Sequence, residues 1–333
     1  MAESSGLLKK LAIGLGVVAI TVCSSVATVK LSYNKLYDEL SKLRKKIKSG
    51  WKRNPALEPL KMSSEMTLFL PKYQKVQFYV KIVTSKKFCS NQKVCLNEVS
   101  ENYDPFSKEN YEPIFIEDLS DTHSLLYNKF HLVPYHVIIV TKEFAKKNTL
   151  LNTNDFFASL KVMKALHGLI YFNSGPNSGS NQKHKNLQSI PYSSYLYHSL
   201  PIDTLIDNEP INKDTPYFTL PQFNFKHIFY RFVPNVTKDL RSDSIVERAQ
   251  LLEEAYRKCL KRLDNEDLTM DYNLVLTKSW MFIVLRKEGM AMNKIKINAV
   301  AFTGSFAVRS EEDYELISRH DPFNILKQVS YSK

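Results

Sequence analysis

Between residues 31 and 48 apolar side chains recur at Leu36, Leu40, Leu43 and Ile47, spacings that align on one side of a helix. Period-two alternation takes over at VQFYVKIV, where Val76, Phe78, Val80 and Ile82 share one face and predict a half-buried strand. Residues 96–122 are polar and punctuated by proline, and are expected to be irregular. A strand is expected over His136–Val140. A helix follows over residues 154–167, with Phe156, Leu160 and Met163 at helical spacing and Asn152, Thr153 or Asn154 as its cap. GLIYFN (Gly168–Asn173) reads as a strand, and Ser174 to about Lys185 as a polar loop. Residues 200–225 hold four prolines without periodicity and read as a loop. Ser244 and Glu247 form a capping-box pattern opening a helix to about Leu263. Three further strands are expected over 272–277, 281–286 and 297–308. A last helix near 311–319 opens on Glu311, Glu312 and Asp313, the sign its dipole favours. No internal repeats occur. Hairpin-joined strands interrupted by helices predict an α+β domain on a largely antiparallel sheet.

The N-terminus departs from this pattern. Leu11–Val29 contains no charged residue. As a helix it would be about 28 Å long, close to the ~30 Å hydrocarbon core of a bilayer. Three readings fit it. One is a single membrane-spanning anchor, which is the expectation. Another is a cleaved signal peptide that would lead into the secretory pathway, with Lys9 and Lys10 as its basic start and Ser25-Val26-Ala27 as its cleavage site. The third, a buried core helix, is disfavoured by Gly14, Gly16 and the lack of an apolar stripe. The formal net charge is +12, and nine Lys/Arg against two acids between Lys30 and Arg53 supply +7 of it. That concentration describes a local basic helix, not a nucleic-acid-binding surface. It also marks the cytosolic side of a single-pass anchor. The expected organisation is a membrane anchor over 1–30, a basic juxtamembrane helix over 31–55 and one folded domain over 56–333.

Composition narrows the class further. Hydrophobic residues make up 44% of the 333, enough for a sizeable core, and the 19 Phe and 18 Tyr favour sheet packing. Four cysteines are too few for a disulfide scaffold. Cys89 and Cys95 flank a short polar loop and read as two reduced thiols, with pairing in an oxidising compartment as the alternative. No CxxC or HxxxH spacing marks a metal site, and no cofactor is implied.

The candidate chemistry lies in NSGPNSGSNQKHKNLQ, Asn173 to Gln188. A Ser/Gly-rich loop here lets backbone amides approach a phosphate and supplies hydroxyls to its oxygens. The stretch resembles the pattern NSG…SGASQPHKHLQ of the ATP adenylyltransferase (diadenosine polyphosphate phosphorylase) family. That family is the galactose-1-phosphate uridylyltransferase-like branch of the histidine-triad superfamily. Upstream, Asn128-Lys129-Phe130 and LVPYHVIIVTKEF are similar to its NKFxxVxxHxLLVTxxF. Downstream, YNLVLTKSWMFIVLR resembles YNLLLTxxWMxVVPR, and INAVAFTGSFAVRSEEDYE resembles its late strand and GxxxVK segment. Asp104-Pro105-Phe106 is similar to its NPF. The likeness runs from about residue 33 to the C-terminus in one order.

The resemblance implies a histidine-triad-like antiparallel sheet with flanking helices. It implies cleavage of diadenosine tetraphosphate by phosphate to ATP and ADP, or the reverse, through a nucleotidyl-histidine intermediate. Carried over by position, Asn128 and Lys129 fall at ribose and nucleotide contacts. Asn173, Ser180, Asn181 and Gln182 line the phosphate loop, and Gln188 bonds a phosphate oxygen. Lys86 or Lys87 is the upstream basic contact. Asn298, Ser305 and Arg309 fall among late nucleotide contacts, with arginine standing where the family has lysine. The implied partners are ATP, ADP and diadenosine polyphosphates, besides the membrane.

One departure bears on activity. The family's HKHLQ reads His184-Lys185-Asn186-Leu187-Gln188, so the nucleophile position holds Asn186. An amide nitrogen has its lone pair delocalised and is a very poor nucleophile. His184 is retained, with a supporting role implied, and Lys185 should point to the opposite side of an alternating strand. Two expectations follow: an active transferase of unusual arrangement, or an impaired, nucleotide-binding pseudoenzyme.

Overall fold

A computed structural model describes the backbone of residues 3–54, 56–57, 65–83, 103–131, 133–180, 182–195, 198–212 and 214–333. Side chains are described from Thr28 onward over the same residues, apart from 65, 66 and 83. Cys89, Cys95, Lys86, Lys87 and Asn181 lie outside the described residues.

The alternation in the sequence becomes two apolar faces of one sheet. Its nine strands are β3 (Phe115–Asp118), β4 (His123–Tyr127), β5 (Val137–Thr141), β6 (Gly168–Asn173), β7 (Asn186–Pro191), β8 (Tyr217–Phe218), β9 (His227–Arg231), β10 (Asp271–Leu276) and β11 (Trp280–Arg286). They lie in the order β3-β4-β5-β7-β6-β10-β11-β9-β8. Every pairing is antiparallel. Ile170, Phe172, Leu187, Leu274 and Ile283 point into a core shared with the helices, and Leu169, Tyr171, Ile190, Val275 and Phe282 into a second core. A smaller sheet belongs to the second core: β1 (Glu65–Phe69), β2 (Tyr79–Val83) and β14 (Ser305–Val308), with β2 and β14 parallel. A short hairpin, β12 (Met290–Ala291) and β13 (Ile295–Lys296), precedes β14.

Helices α1 (Glu3–Arg53), α2 (Thr153–Leu166) and α3 (Ile245–Arg262) cover the first face, and α4 (Glu311–Ser318) and α5 (Pro322–Gln328) the second. The Asn152 side chain accepts from the N–H groups of Asn154 and Asp155, and Asp155 answers Asn152 N, a complete capping box for α2. The box expected at Ser244 does not form. Ser244 sits at φ −112°, ψ −4°, and its hydroxyl accepts from Arg241 N instead. The strand expected over 297–308 is broken. Asn298 Oδ1 accepts from Val300 N at 3.0 Å, winding Ala299–Thr303 into a 3-10 turn. Gly304 then exits it at φ +97°, a conformation that favours glycine.

The expectations of a membrane anchor, a membrane partner and a single-pass location are corrected. Among the described residues no helix is long and apolar enough to cross a membrane. Instead, α1 is a continuous helix whose Leu36, Leu40, Leu43, Ile47 and Trp51 are buried in the first core. Its basic residues tie it to the fold: Arg44 Nε donates to Ala165 O at 2.7 Å and Lys46 pairs with Glu117 at 3.0 Å. Tyr127 Oη donates to Ile47 O at 2.7 Å, and Trp51 packs its ring 4.4 Å from that of His131.

Candidate functional site

Antiparallel register brings the motif residues together at the middle of the nine-stranded sheet. Gln188 on β7 stands between Ile138 of β5 and Tyr171 of β6. Asn186, Gln188 and Ile190 share the face of β7 turned away from α2, while Leu187 packs into the helical core. Lys185 points to the helical side, donating to Leu150 O at 3.0 Å and pairing with buried Asp155 at 3.3 Å. His123 holds the other oxygen of that carboxylate at 3.0 Å.

Around Gln188 the polar groups satisfy one another. Its Oε1 accepts from Tyr171 Oη at 2.7 Å and from Asn128 Nδ2 at 3.1 Å, with His136 Nε2 at 2.9 Å. Asn128 Oδ1 accepts from Phe130 N at 2.8 Å, so Asn128 fixes the bend of the Asn-Lys-Phe motif. Burial pulls the His136 imidazole down to about 4, against the opposing pull of the Gln188 bond, and keeps the ring neutral. Lys129 is exposed at the rim.

At the other end of this face stands Asn186, buried with both ends of its amide occupied. Its Oδ1 accepts from Lys147 Nζ at 3.1 Å, and its Nδ2 donates to His184 O at 2.8 Å. The imidazole of His184 turns elsewhere. Nδ1 meets Asp104 Oδ2 at 2.7 Å, and Nε2 lies 2.9 Å from both oxygens of Thr141. Phe106 and Phe144 flank that ring. Asp104, within the Asp-Pro-Phe motif, thus anchors His184. Burial, with repulsion from Lys296, lowers the Lys147 ammonium to about 7.

The Ser/Gly loop and the late segment meet beside them. Asn173 Oδ1 accepts from Asn273 Nδ2 at 2.7 Å and from Ala299 N at 3.0 Å, fastening the Asn298 turn to the sheet centre. Gly179 turns at φ +85° beneath Ile297 O, where a Cβ would collide. Ser180 is buried, Gln182 is exposed, and Gln182 N donates to Ser180 Oγ at 3.4 Å. Arg309 is exposed at the head of α4, and its N–H donates to Asp313 Oδ2 at 3.3 Å.

Asn298 and Ser305 line a small cleft, partly open to solvent, with Ile190, Tyr79, Lys81, Tyr195 and Val300. The hydroxyls of Tyr79 and Tyr195 are buried at its wall without a hydrogen-bond partner of good geometry. Ser305 and Thr303 lie beside them, and burial raises both phenols far above their ordinary range. Because Ile190 continues the Asn186–Gln188 row, the cleft and the amide cluster lie side by side on one face of the sheet. That face offers amide and hydroxyl donors and cations, the equipment of an anion and nucleotide site. Among the described residues no cluster of His, Cys, Asp and Glu reaches metal-binding size.

The residues missed by sequence reading are His136, Lys147, Tyr171, Tyr79 and Tyr195. His136 stands at the histidine of NKFxxVxxHxLLVTxxF, a signal that was available. Lys147 and the three tyrosines carry no local signal, because only the tertiary fold buries them.

Comparison with known proteins identifies the relatives. Residues 33–208 match the model for the Ap4A phosphorylase N-terminal domain, and residues 221–332 that for the ATP adenylyltransferase C-terminal domain. The chain is 28% identical over 267 residues to diadenosine 5',5'''-P1,P4-tetraphosphate phosphorylase 2 of Saccharomyces cerevisiae, covering 70% of this chain and 77% of that one. It is 26% identical over 248 residues to Protein APA1 of the same yeast, covering 66% and 73%. The fold matches the crystal structure of yeast Ap4A phosphorylase Apa2 in complex with AMP, with a TM-score of 0.68 and 24% identity over 87% of this chain and 96% of that one.

Proposed function

Because this chain belongs to the Ap4A phosphorylase and ATP adenylyltransferase family, we propose that it binds adenine nucleotides along the Asn186–Gln188–Ile190 face and lacks the family's histidine-dependent transfer. The ligands expected are ATP, ADP and diadenosine polyphosphates. Binding is supported by solved relatives whose complexes hold AMP and Ap4A, by the family residues Asn128 and Gln188 hydrogen-bonded to each other, and by Asn298 and Ser305 lining one cleft. Asn173, Ser180, Asn181, Gln182, Lys129, Arg309 and Lys86 or Lys87 complete the proposed contacts.

The observation that carries the second half is the amide at Asn186. It is held between Lys147 and the His184 carbonyl, while the His184 ring is engaged by Asp104 and Thr141. Neither side chain offers a free imidazole nitrogen to an α-phosphorus. Phosphorolysis of diadenosine tetraphosphate by wild type and by Asn186→His tests this. Wild type should be at least ~10³-fold slower, the scale of a lost nucleophile. Equal rates refute the impairment, and absence of nucleotide binding in a calorimetric titration refutes the reading entirely.

A second reading is direct attack by inorganic phosphate with no covalent intermediate. The Lys147 cation beside position 186 favours it, since such a charge can stabilise a displacement without an acceptor. Brisk turnover by wild type with no labelled nucleotide left on the denatured protein would select it.

A further inference from the structure

Lys147 lies between β5 and α2, outside every motif discussed above. Its N–H donates to Lys183 O at 2.8 Å, which fastens it to the end of the Ser/Gly loop. The side chain is 4% exposed, and Nζ donates to Asn186 Oδ1 at 3.1 Å. The Phe172 ring centre is 5.8 Å from Nζ. Among the described residues no carboxylate lies within ion-pair distance of it. An ammonium has three donors, and here the described residues supply one acceptor. A buried charge without an anion is one of the costlier features a fold can carry.

The surroundings add positive charge. Lys296 on β13 repels Lys147, and Arg309 beyond β14 repels Lys296. From β7 the neighbour is the neutral Asn186, and from β6 it is Phe172. From the segment leading into β7, Lys183 meets Lys147 through its backbone carbonyl. His184 has its ring tied to Asp104 and Thr141. Lys147, with Lys296 acting on it, thus brings positive charge to the position that the family gives to its nucleophile.

We propose that Lys147 is a phosphate-binding residue of this site, its ammonium held by Asn186 Oδ1 and receiving the phosphoryl group that lies over position 186. This rests on the nucleotide reading above. A neutral amine beside an α-phosphorus could instead attack it. A polyphosphate at contact distance argues against that, because its negative charge restores the proton to the amine. Lys147 is therefore a cation in the complex, and binding near neutral pH draws a proton from solvent.

Calorimetric titration of the full chain with diadenosine tetraphosphate tests this, since that ligand has no phosphate ionisation near neutrality. Titrations run at about pH 6.5 and 8.5, each in two buffers of different ionisation enthalpy. Wild type should take up a proton at the higher pH and bind roughly tenfold more weakly there than at the lower pH. Lys147→Arg, which does not titrate, should bind without that uptake. Lys147→Met should bind at least about tenfold more weakly at the lower pH. Binding without proton uptake, or a Met variant equal to wild type, overturns the proposal alone. A nucleotidyl adduct on Lys147 after denaturation also overturns it, since it makes the lysine an acceptor. Failure of wild type to bind the ligand refutes the nucleotide reading and this proposal with it. Should the Met variant not fold, the wild-type proton count decides.

Discussion

Replacing Gly304 by alanine perturbs the hinge between the Asn298 turn and β14, and its cost can be worked in two parts. Gly304 sits at φ +97°, where an L-residue pays about 1–2 kcal/mol. A new Cβ would also collide with Pro201 Cβ and lie 2.9 Å from its Cγ. A proline ring cannot swing aside, and overpacking of this kind costs about 1–3 kcal/mol. The expected loss is therefore about 2–5 kcal/mol, read from the urea midpoint at unchanged slope. Gly304 O accepts from Tyr79 N at 3.2 Å, and Ser305 follows it into the cleft wall. The same substitution should therefore weaken nucleotide binding in the fraction that remains folded. A double-mutant cycle with Pro201→Gly separates the parts, because removing the ring relieves the collision and leaves the backbone cost. A loss below about 1 kcal/mol, or no rescue by Pro201→Gly, would refute this account of the hinge.

Two other outcomes follow from buried polar groups. Asp104→Ala should cost about 2 kcal/mol by stripping His184 of its Nδ1 partner. It should leave the affinity for diadenosine tetraphosphate unchanged, and a collapse of affinity in a still-stable variant contradicts the anchoring role. His227 accepts from Leu220 N at 2.9 Å and contacts Phe225 O at 2.8 Å, and burial lowers it to about 4 despite the Phe225 carbonyl. The folded state then binds fewer protons than the unfolded chain, whose histidine titrates near 6.5. Stability from this group is complete above about pH 6.5 and is lost as pH falls through about 4, roughly 3 kcal/mol in all. His136 acts in the same direction. Urea melts between about pH 7.5 and 4.5 should slope downward, less steeply in His227→Gln, and a flat wild-type profile contradicts the assignment.

Elements whose signal is local were legible in the chain. The helical period gives α2 and α3, and apolar runs of strand length give β6, β10 and β11. Where one side chain outweighs the pattern, reading fails. INAVAF is as apolar as a strand, yet Asn298 Oδ1 captures Val300 N and turns it. The short strands β4 and β9 carry polar ends, HSLLY and HIFYR, and depend on their sheet neighbours. The leucine stripe of α1 was readable as a helix face, but not that the protein's own core covers it. At the site, Asn128, Asn186 and Gln188 could be found from motif spacing. Lys147 could not, because nothing adjacent in sequence indicates that it will be buried against residue 186.

That pairing also bears on whether the site is kept for a ligand. An amide at position 186 is neutral at every physiological pH, so any countercharge for a phosphoryl group there must come from elsewhere. The buried amine of Lys147, lowered to about 7 by desolvation and repelled by Lys296, supplies it at the expense of the unliganded fold. A protein retained only for its architecture gains by placing an aliphatic residue at such a position, since replacing buried charge with packing is commonly stabilising. Accordingly, the same Lys147→Met change that weakens nucleotide binding should leave the free protein at least as stable as wild type. Loss of stability without loss of binding would instead make Lys147 a structural residue and remove the reason to regard position 186 as a phosphate site.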